Sequence, residues 1–162
     1  MKVAIGSDHA GLRLKNAMVE TLKELGVTYD DFGTYDESSV DYPDYGLKVA
    51  QAVASGAYDR GVLICGSGLG MCITANKVPG IRAVTAHDVY SAEMSRRHND
   101  ANVLTMGERV VGVGVAEQVL KVWLAAEFEG GRHARRVDKM NQLDRKRSPA
   151  DVAADLAGGA GC

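Results

Sequence analysis

Short apolar runs and longer segments of helical periodicity take turns along the chain, and this alternation restricts the fold more than any other feature. The pattern predicts a first strand over Val3 to Ile5, ended by Gly6, and then a helix with Leu14, Met18, Leu22 and Leu25 on one face. Gly26 is its expected stop. A second strand is expected over Val27 to Phe32, followed after Pro43 by a helix with Leu47, Ala50 and Ala54 facing inward. The run from Gly61 to Cys65 is unbroken by polar residues, as a central strand covered on both faces requires. A helix over Leu69 to Asn76 comes next, then a strand over Ile81 to Ala86 and a helix capped by Asp88 and reaching about Arg97. The fifth strand is placed at Ala101 to Met106. Ala116, Val119, Leu120, Trp123, Leu124 and Phe128 mark a long amphipathic helix, and a basic helix from about His133 to Arg147 follows the break at Gly130-Gly131. Strands separated by helices pair in parallel through right-handed crossovers. The expected fold is therefore α/β: a single-domain, three-layer α/β/α structure with a five-stranded parallel sheet, Rossmann-like. Residues 1–147 form this domain, and the low-complexity stretch 148–162 is expected to be a mobile tail.

Ligands of such sheets bind beyond the carboxyl ends of the strands. At one such end residues 64–72 read I-C-G-S-G-L-G-M-C, three glycines in five residues directly after a thiol. Two ligand-binding readings compete. Gly66, Gly68 and Gly70, with Asp88 some way downstream, resemble a dinucleotide fingerprint, but the spacing is one residue short because Met71 holds the final position. Alternatively, backbone N–H groups of a glycine turn at a helix N-terminus form a nest for a phosphate or a transient oxyanion. The same dipole favours ionisation of a nearby thiol, which would make Cys65 a nucleophile or a base. The plainer view is that Cys65 is a small buried strand residue.

Other polar clusters have similar pairs of readings. Asp8 and His9, in G-S-D-H-A-G, stand at the mouth of the first strand, where Asp8 can also serve as a helix cap. His98-Asn99-Asp100 follows a helix and can equally be its C-terminal cap. Arg132 and Arg136 are spaced four apart on one helical face; like charges there repel, so an anion between them would explain the choice, and a solvated basic face is the simpler account. The run Asp41-Tyr42-Pro43-Asp44 reads as a turn and helix start.

Bulk properties narrow the classes. Nineteen basic against twenty-one acidic residues leave a net charge of −2, which disfavours a nucleic-acid surface. No apolar run reaches the roughly 20 residues a membrane helix needs, and M-K-V-A-I-G-S-D-H is not expected to act as a signal peptide. Three cysteines point to free thiols in a reducing cytoplasm. The spacing of Cys65 and Cys72 is unlike C-x-x-C, and the scattered histidines lack a metal-ligand spacing, so neither a redox pair nor a metal site is expected.

The stretches G-S-D-H-A-G (6–11), D-Y-P-D-Y (41–45), I-C-G-S-G-L-G-M (64–71), A-N-K-V-P-G-I-R-A (75–83), S-R-R-H-N-D-A-N-V-L (95–104), G-E-R-V-V-G (107–112) and E-G-G-R-H-A-R-R-V (129–137) occur in this order. Together they make the chain resemble the ribose-5-phosphate isomerase B family, which includes galactose-6-phosphate isomerase subunits. The resemblance spans residues 1–147. It implies cofactor-independent and metal-independent interconversion of an aldose phosphate and a ketose phosphate through an enediolate. Ribose 5-phosphate is the foremost expected substrate, and a hexose 6-phosphate of allose or galactose type is the alternative. By the same resemblance Cys65 is the base, Gly66, Ser67, Gly68, Leu69 and Gly70 form the anion hole, and His98 opens the sugar ring. Asp8, His9 and Asn99 hold sugar hydroxyls, and Arg109, Arg132 and Arg136 hold the phosphate. Some members have Thr where this chain has Ser67; its hydroxyl is placed to relay a proton between O1 and O2. Members without the cysteine use a glutamate elsewhere, so Cys65 assigns this chain to the cysteine branch. Cys65 ends one strand whereas His98 and Asn99 precede another, at opposite edges of a parallel sheet. A homodimer or tetramer with an active site shared across the interface is therefore expected.

Overall fold

In a computed structural model of the protein, residues 1–144 are described. The stretch 148–162 and the end of the expected basic helix, 145–147, lie outside the described residues. The strands are β1 (Lys2–Ser7), β2 (Thr28–Asp31), β3 (Arg60–Cys65), β4 (Ala83–Thr85) and β5 (Val103–Gly107). The helices are α1 (Leu12–Glu24), α2 (Tyr42–Ala54), α3 (Leu69–Ala75), α4 (Val89–Asn99), α5 (Val113–Ala125) and α6 (Arg132–Leu143), and a short 3₁₀ turn (His9–Gly11) precedes α1. All strand pairs are parallel, in the order β2-β1-β3-β5-β4.

Side-chain alternation along β3 divides the core. Val62 and Ile64 enter one layer with Leu14, Met18 and Leu22 of α1 and Val119, Leu120 and Trp123 of α5. Leu63 and Cys65 enter the other with Val49, Ala50 and Val53 of α2 and Met71 and Ala75 of α3. Each large side chain fully buried in this way contributes about 1.5–3 kcal/mol.

The expected elements all form, with boundaries among the described residues shifted by at most three residues apart from the end of the basic helix, and four inward assignments change. Leu25 is exposed because α1 ends at Glu24 and Gly26, at φ 64°, turns the chain away. On α2 the buried positions are Gly46, Val49, Ala50 and Val53, so Leu47 and Ala54 face solvent. This face is selected by the close approach of Gly46 to α3: a Cβ there would lie 3.2 Å from Met71 Sδ and Thr74 Cγ2. Phe128 lies beyond the end of α5, where the backbone becomes extended at Ala126.

β1 and β3 are neighbours, yet the chain leaves them towards opposite edges, to β2 and to β4. A crevice opens at such a switch point. Asp8 follows β1, and Cys65 ends β3.

Candidate active site

Asp8 donates its N–H to the Ile64 carbonyl at 3.3 Å, which joins the β1 loop to β3. Its Oδ1 accepts the Ala10 N–H at 3.0 Å and caps the 3₁₀ turn, so the cap reading holds while the carboxylate still lines the crevice. Burial raises the pKa of this carboxyl, against the opposing pull of His9, the Ala10 and Gly11 amides and Arg109. The Nδ1 atom of His9 accepts the Val40 N–H at 3.1 Å, so the ring carries its proton on Nε2.

Cys65 is 5% exposed, as the plainer view required, and its sulfur has a polar partner. The Gly68 N–H donates to Sγ at 3.1 Å. Gly68 adopts φ 80°, and a Cβ there would lie 2.9 Å from the carbonyl carbon of Met106, so no other residue fits. The Leu69 N–H is taken by Ser67 Oγ at 3.3 Å. Two of the five expected anion-hole amides are thus engaged within the turn. Among the described residues, the N–H groups of Ser67 and Gly70 have no partner in the chain. The end of β5 is joined to the same turn: Glu108 N–H donates to Cys65 O at 2.9 Å and Arg109 N–H to Gly66 O at 3.1 Å. The Arg109 guanidinium consequently lies over Gly66, 3.5 Å from where a Cβ would stand.

A cleft of about 410 Å³ opens in front of this turn, lined by Asp8, His9, Cys65, Gly66, Ser67, Gly70 and Arg109. Gly68 is buried beneath it, and Leu69 points away with 59% of its surface exposed. Ala10, Tyr42 and Val110 complete the lining and were not expected. Tyr42 could have been found in D-Y-P-D-Y, which reads as a turn; its ring abuts Gly70, where a Cβ would fall 2.7 Å from Cε2.

The remaining expected residues form a second cluster. His98, in the last turn of α4, stacks on His133 of α6, with ring centroids 4.2 Å apart and planes 2° from parallel. Glu129 Oε2 lies 3.7 Å from His98 Nε2 and 3.6 Å from His133 Nε2. Arg132 Nε donates to His133 Nε2 at 3.3 Å, and the Arg132 and Arg136 side chains are exposed. Asn99 is exposed beside them in sequence, and Asp100, not His98, caps α4 in the left-handed conformation. Sequence spacing missed the trio His98, Glu129 and His133, whose ligand-type atoms lie within 4.8 Å of one another. Imidazole lone pairs lie in the ring plane, so parallel rings do not converge on one ion at about 2.0–2.1 Å. Arg132 also occupies the His133 lone pair.

The two clusters do not meet within one chain. Cys65 pairs with Gly107, while Val103, just after the His98 segment, pairs with Gly61. At about 3.3 Å per residue, roughly 13 Å of strand separates the two edges. Asp88 does not join either cluster: its Oδ1 accepts the Ser91 N–H at 2.7 Å, and β5 stands between its strand and β3. That removes the dinucleotide reading. Cys72 faces the Ala83 carbonyl and Asn76, and both it and Cys65 are free thiols.

The profile of the Ribose/Galactose Isomerase family matches residues 3–140. The chain belongs to this family. Ribose-5-phosphate isomerase B of Escherichia coli (strain K12) is 48% identical over 147 residues, covering 91% of this chain and 99% of that protein. A putative sugar phosphate isomerase of Bacillus subtilis (strain 168) is 52% identical, covering 90% of this chain and 99% of the relative. The solved structure of Clostridium thermocellum ribose-5-phosphate isomerase B superposes with a TM-score of 0.90 at 57% identity, over 91% of this chain and all of that one. The family is one of sugar-phosphate isomerases, and the parallel α/β fold is shared with it.

Proposed function

We propose that the protein interconverts ribose 5-phosphate and ribulose 5-phosphate without metal or organic cofactor, with Cys65 as the base. The observation that carries this reading is the Cys65 sulfur, held by the Gly68 amide at the mouth of a cleft that also presents Asp8, His9 and Arg109. The open-chain aldehyde acidifies the hydrogen on C2. The thiolate removes it and returns it to C1, and Ser67 passes a proton between O1 and O2. The enediolate oxygen takes the free N–H groups of the turn, each donor of this kind being worth about 3 kcal/mol in the transition state. Asp8 and His9 hold hydroxyls. Arg109 holds the phosphate with Arg132 and Arg136 of a second copy of the chain, whose binding energy orients the reacting carbons.

Ring opening falls to His98, with Asn99 beside it, and both come from a second copy of the chain. The separation of the two clusters supports a shared site in a homodimer or a tetramer built from it. So do the exposed apolar side chains near the cleft: Leu69 and Ile73 on α3, and Val110 on its rim. Reduced Cys65 suits the cytoplasm, where we place the enzyme.

The test mixes Cys65→Ala and His98→Ala chains under subunit exchange and follows ribulose 5-phosphate formation from ribose 5-phosphate. Each variant alone is expected to be inactive. Half the dimers are then mixed and each mixed dimer has one intact site of two, so about a quarter of wild-type activity returns. No recovery despite demonstrated exchange would overturn the shared site, and an active Cys65→Ala enzyme would overturn the base. Conversion of allose 6-phosphate or galactose 6-phosphate in preference to ribose 5-phosphate would reassign the substrate.

A further inference from the structure

Glu129 is a carboxylate set among cations, and nothing in the isomerisation step uses it. One oxygen is fixed by Arg97 Nε at 2.7 Å, and its backbone N–H donates to the Arg97 carbonyl at 3.0 Å, so both its position and its charge are secured. Arg97 in turn is tied to Glu93 one turn earlier on α4. The other oxygen faces the Nε2 atoms of His98 and His133. The carboxyl is held below its usual range, first by the Arg97 hydrogen bond and then by the charges of Arg97, His98 and His133.

His133 differs from His98 in burial: its side chain is 8% exposed against 35%. Its Nε2 accepts a hydrogen from Arg132 at 3.3 Å, which fixes the orientation of the ring. Burial, His98, Arg132 and Arg136 all push its pKa down, against Glu129. His98 therefore stacks on a flat ring held in a fixed orientation, 4.2 Å away and nearly parallel. Glu129 Oε2 faces the His98 Nε2 at 3.7 Å.

We propose that Glu129 and His133 are positioning residues for His98, the carboxylate facing its Nε2 and the stacked ring fixing its plane, so that they serve ring opening and not isomerisation. This rests on the reading of His98 as the ring-opening group. Opening a furanose breaks the bond between C1 and O4, takes a proton from the C1 hydroxyl and puts one on O4. The sugar's formula is unchanged, and the imidazole ends with the proton count it began with. Such a relay needs a group that carries a proton transiently in a fixed orientation, and the trio supplies both conditions.

The division of labour gives a clean readout, because ribulose 5-phosphate has its C5 oxygen esterified and cannot close a five-membered ring. Deuterium uptake at its C1 in D₂O reports Cys65 chemistry alone, whereas conversion of ribose 5-phosphate requires both steps. Glu129→Gln keeps the side chain's size and removes its charge. Its kcat for ribose 5-phosphate is expected to fall roughly ten- to a hundredfold, a part of the 10²–10⁴ that general acid–base catalysis supplies. KM should stay within about twofold, and C1 exchange of ribulose 5-phosphate should persist, which also certifies the fold. His133→Ala should behave alike, and His133→Phe, which restores a flat ring, should recover most of the loss. If His98→Ala loses ribose 5-phosphate conversion while Glu129→Gln and His133→Ala do not, this inference fails and the ring-opening role stands. If His98→Ala converts ribose 5-phosphate normally, the ring-opening role itself fails. If Glu129→Gln loses C1 exchange in parallel with conversion, Glu129 supports the fold or the interface, and the proposal is overturned.

Discussion

Gly68→Ala tests the central feature of the site, the turn that directs an amide at the Cys65 sulfur. Two costs add. An alanine at φ 80° loses about 1–2 kcal/mol to backbone sterics. Its Cβ would also stand 2.9 Å from the Met106 carbonyl carbon and 3.2 Å from the Gly107 nitrogen, backbone atoms that cannot swing aside, and overpacking of this sort costs about 1–3 kcal/mol. The total of roughly 2–5 kcal/mol corresponds to a fall in Tm of about 4–20 °C for a chain of 162 residues. The displaced turn misdirects the Gly68 N–H and the free amides of Ser67 and Gly70, so kcat should fall about 10²–10³-fold. Gly70→Ala is the contrasting variant. Its Cβ would meet the Tyr42 ring at 2.7 Å, but Tyr42 is 41% exposed and free to rotate outward. That variant should stay near wild-type stability and mainly raise KM, since it narrows the cleft wall. Thermal unfolding by circular dichroism and initial rates of ribulose 5-phosphate formation give both quantities. A Gly68→Ala enzyme with wild-type Tm and kcat, or a Gly70→Ala enzyme less stable than it, would refute the reasoning.

Two further predictions concern stability away from the chemistry. The Arg60 guanidinium donates to the Trp123, Leu124 and Ala126 carbonyls at 2.7, 2.8 and 3.2 Å and caps the end of α5; burial and Arg96 lower its pKa to about 10. Arg60→Met should destabilise the protein by about 1–3 kcal/mol through the orphaned carbonyls, and it should leave deuterium exchange at C1 of ribulose 5-phosphate unchanged because Arg60 lies at the far end of β3 from Cys65; a thermal scan beside an exchange assay decides it. His87 Nε2 accepts the Gly107 N–H at 2.8 Å, and burial lowers its pKa. Below the ordinary histidine value of about 6.5 the unfolded chain binds the proton more readily than the folded one, so stability falls as pH drops through that value towards the folded pKa. His133 acts in the same direction. His87→Gln, which keeps an acceptor for Gly107 but does not titrate, should therefore lose less Tm than wild type between pH 7.5 and 5.5, and equal losses would contradict the assignment.

How much of this could be read from the chain follows from the range over which each signal acts. The unbroken apolar run of β3 and the glycines that close α1 and the Cys65 turn are local signals, and they placed the sheet and the turn that lines the cleft. The inward face of α2 was misread because it is selected by contact: Gly46 against Met71 and Thr74 decides which side turns in, and no periodicity within Tyr42–Ala54 reports that neighbour. Tyr42 escaped notice for the same reason, its role being set by the missing side chain at Gly70 on another helix. Glu129 and His133 show the strongest form of the effect. In sequence, Glu129 lies thirty-one residues beyond His98 and reads as part of a glycine-rich break, yet packing of α6 against α4 makes the three one unit. The separation of Cys65 from His98 went the other way, because it needed only direction. In a parallel sheet, a residue that ends one strand and a residue that precedes its neighbour lie on opposite edges whatever the packing, so the order of Cys65 and His98 relative to their strands already separated them.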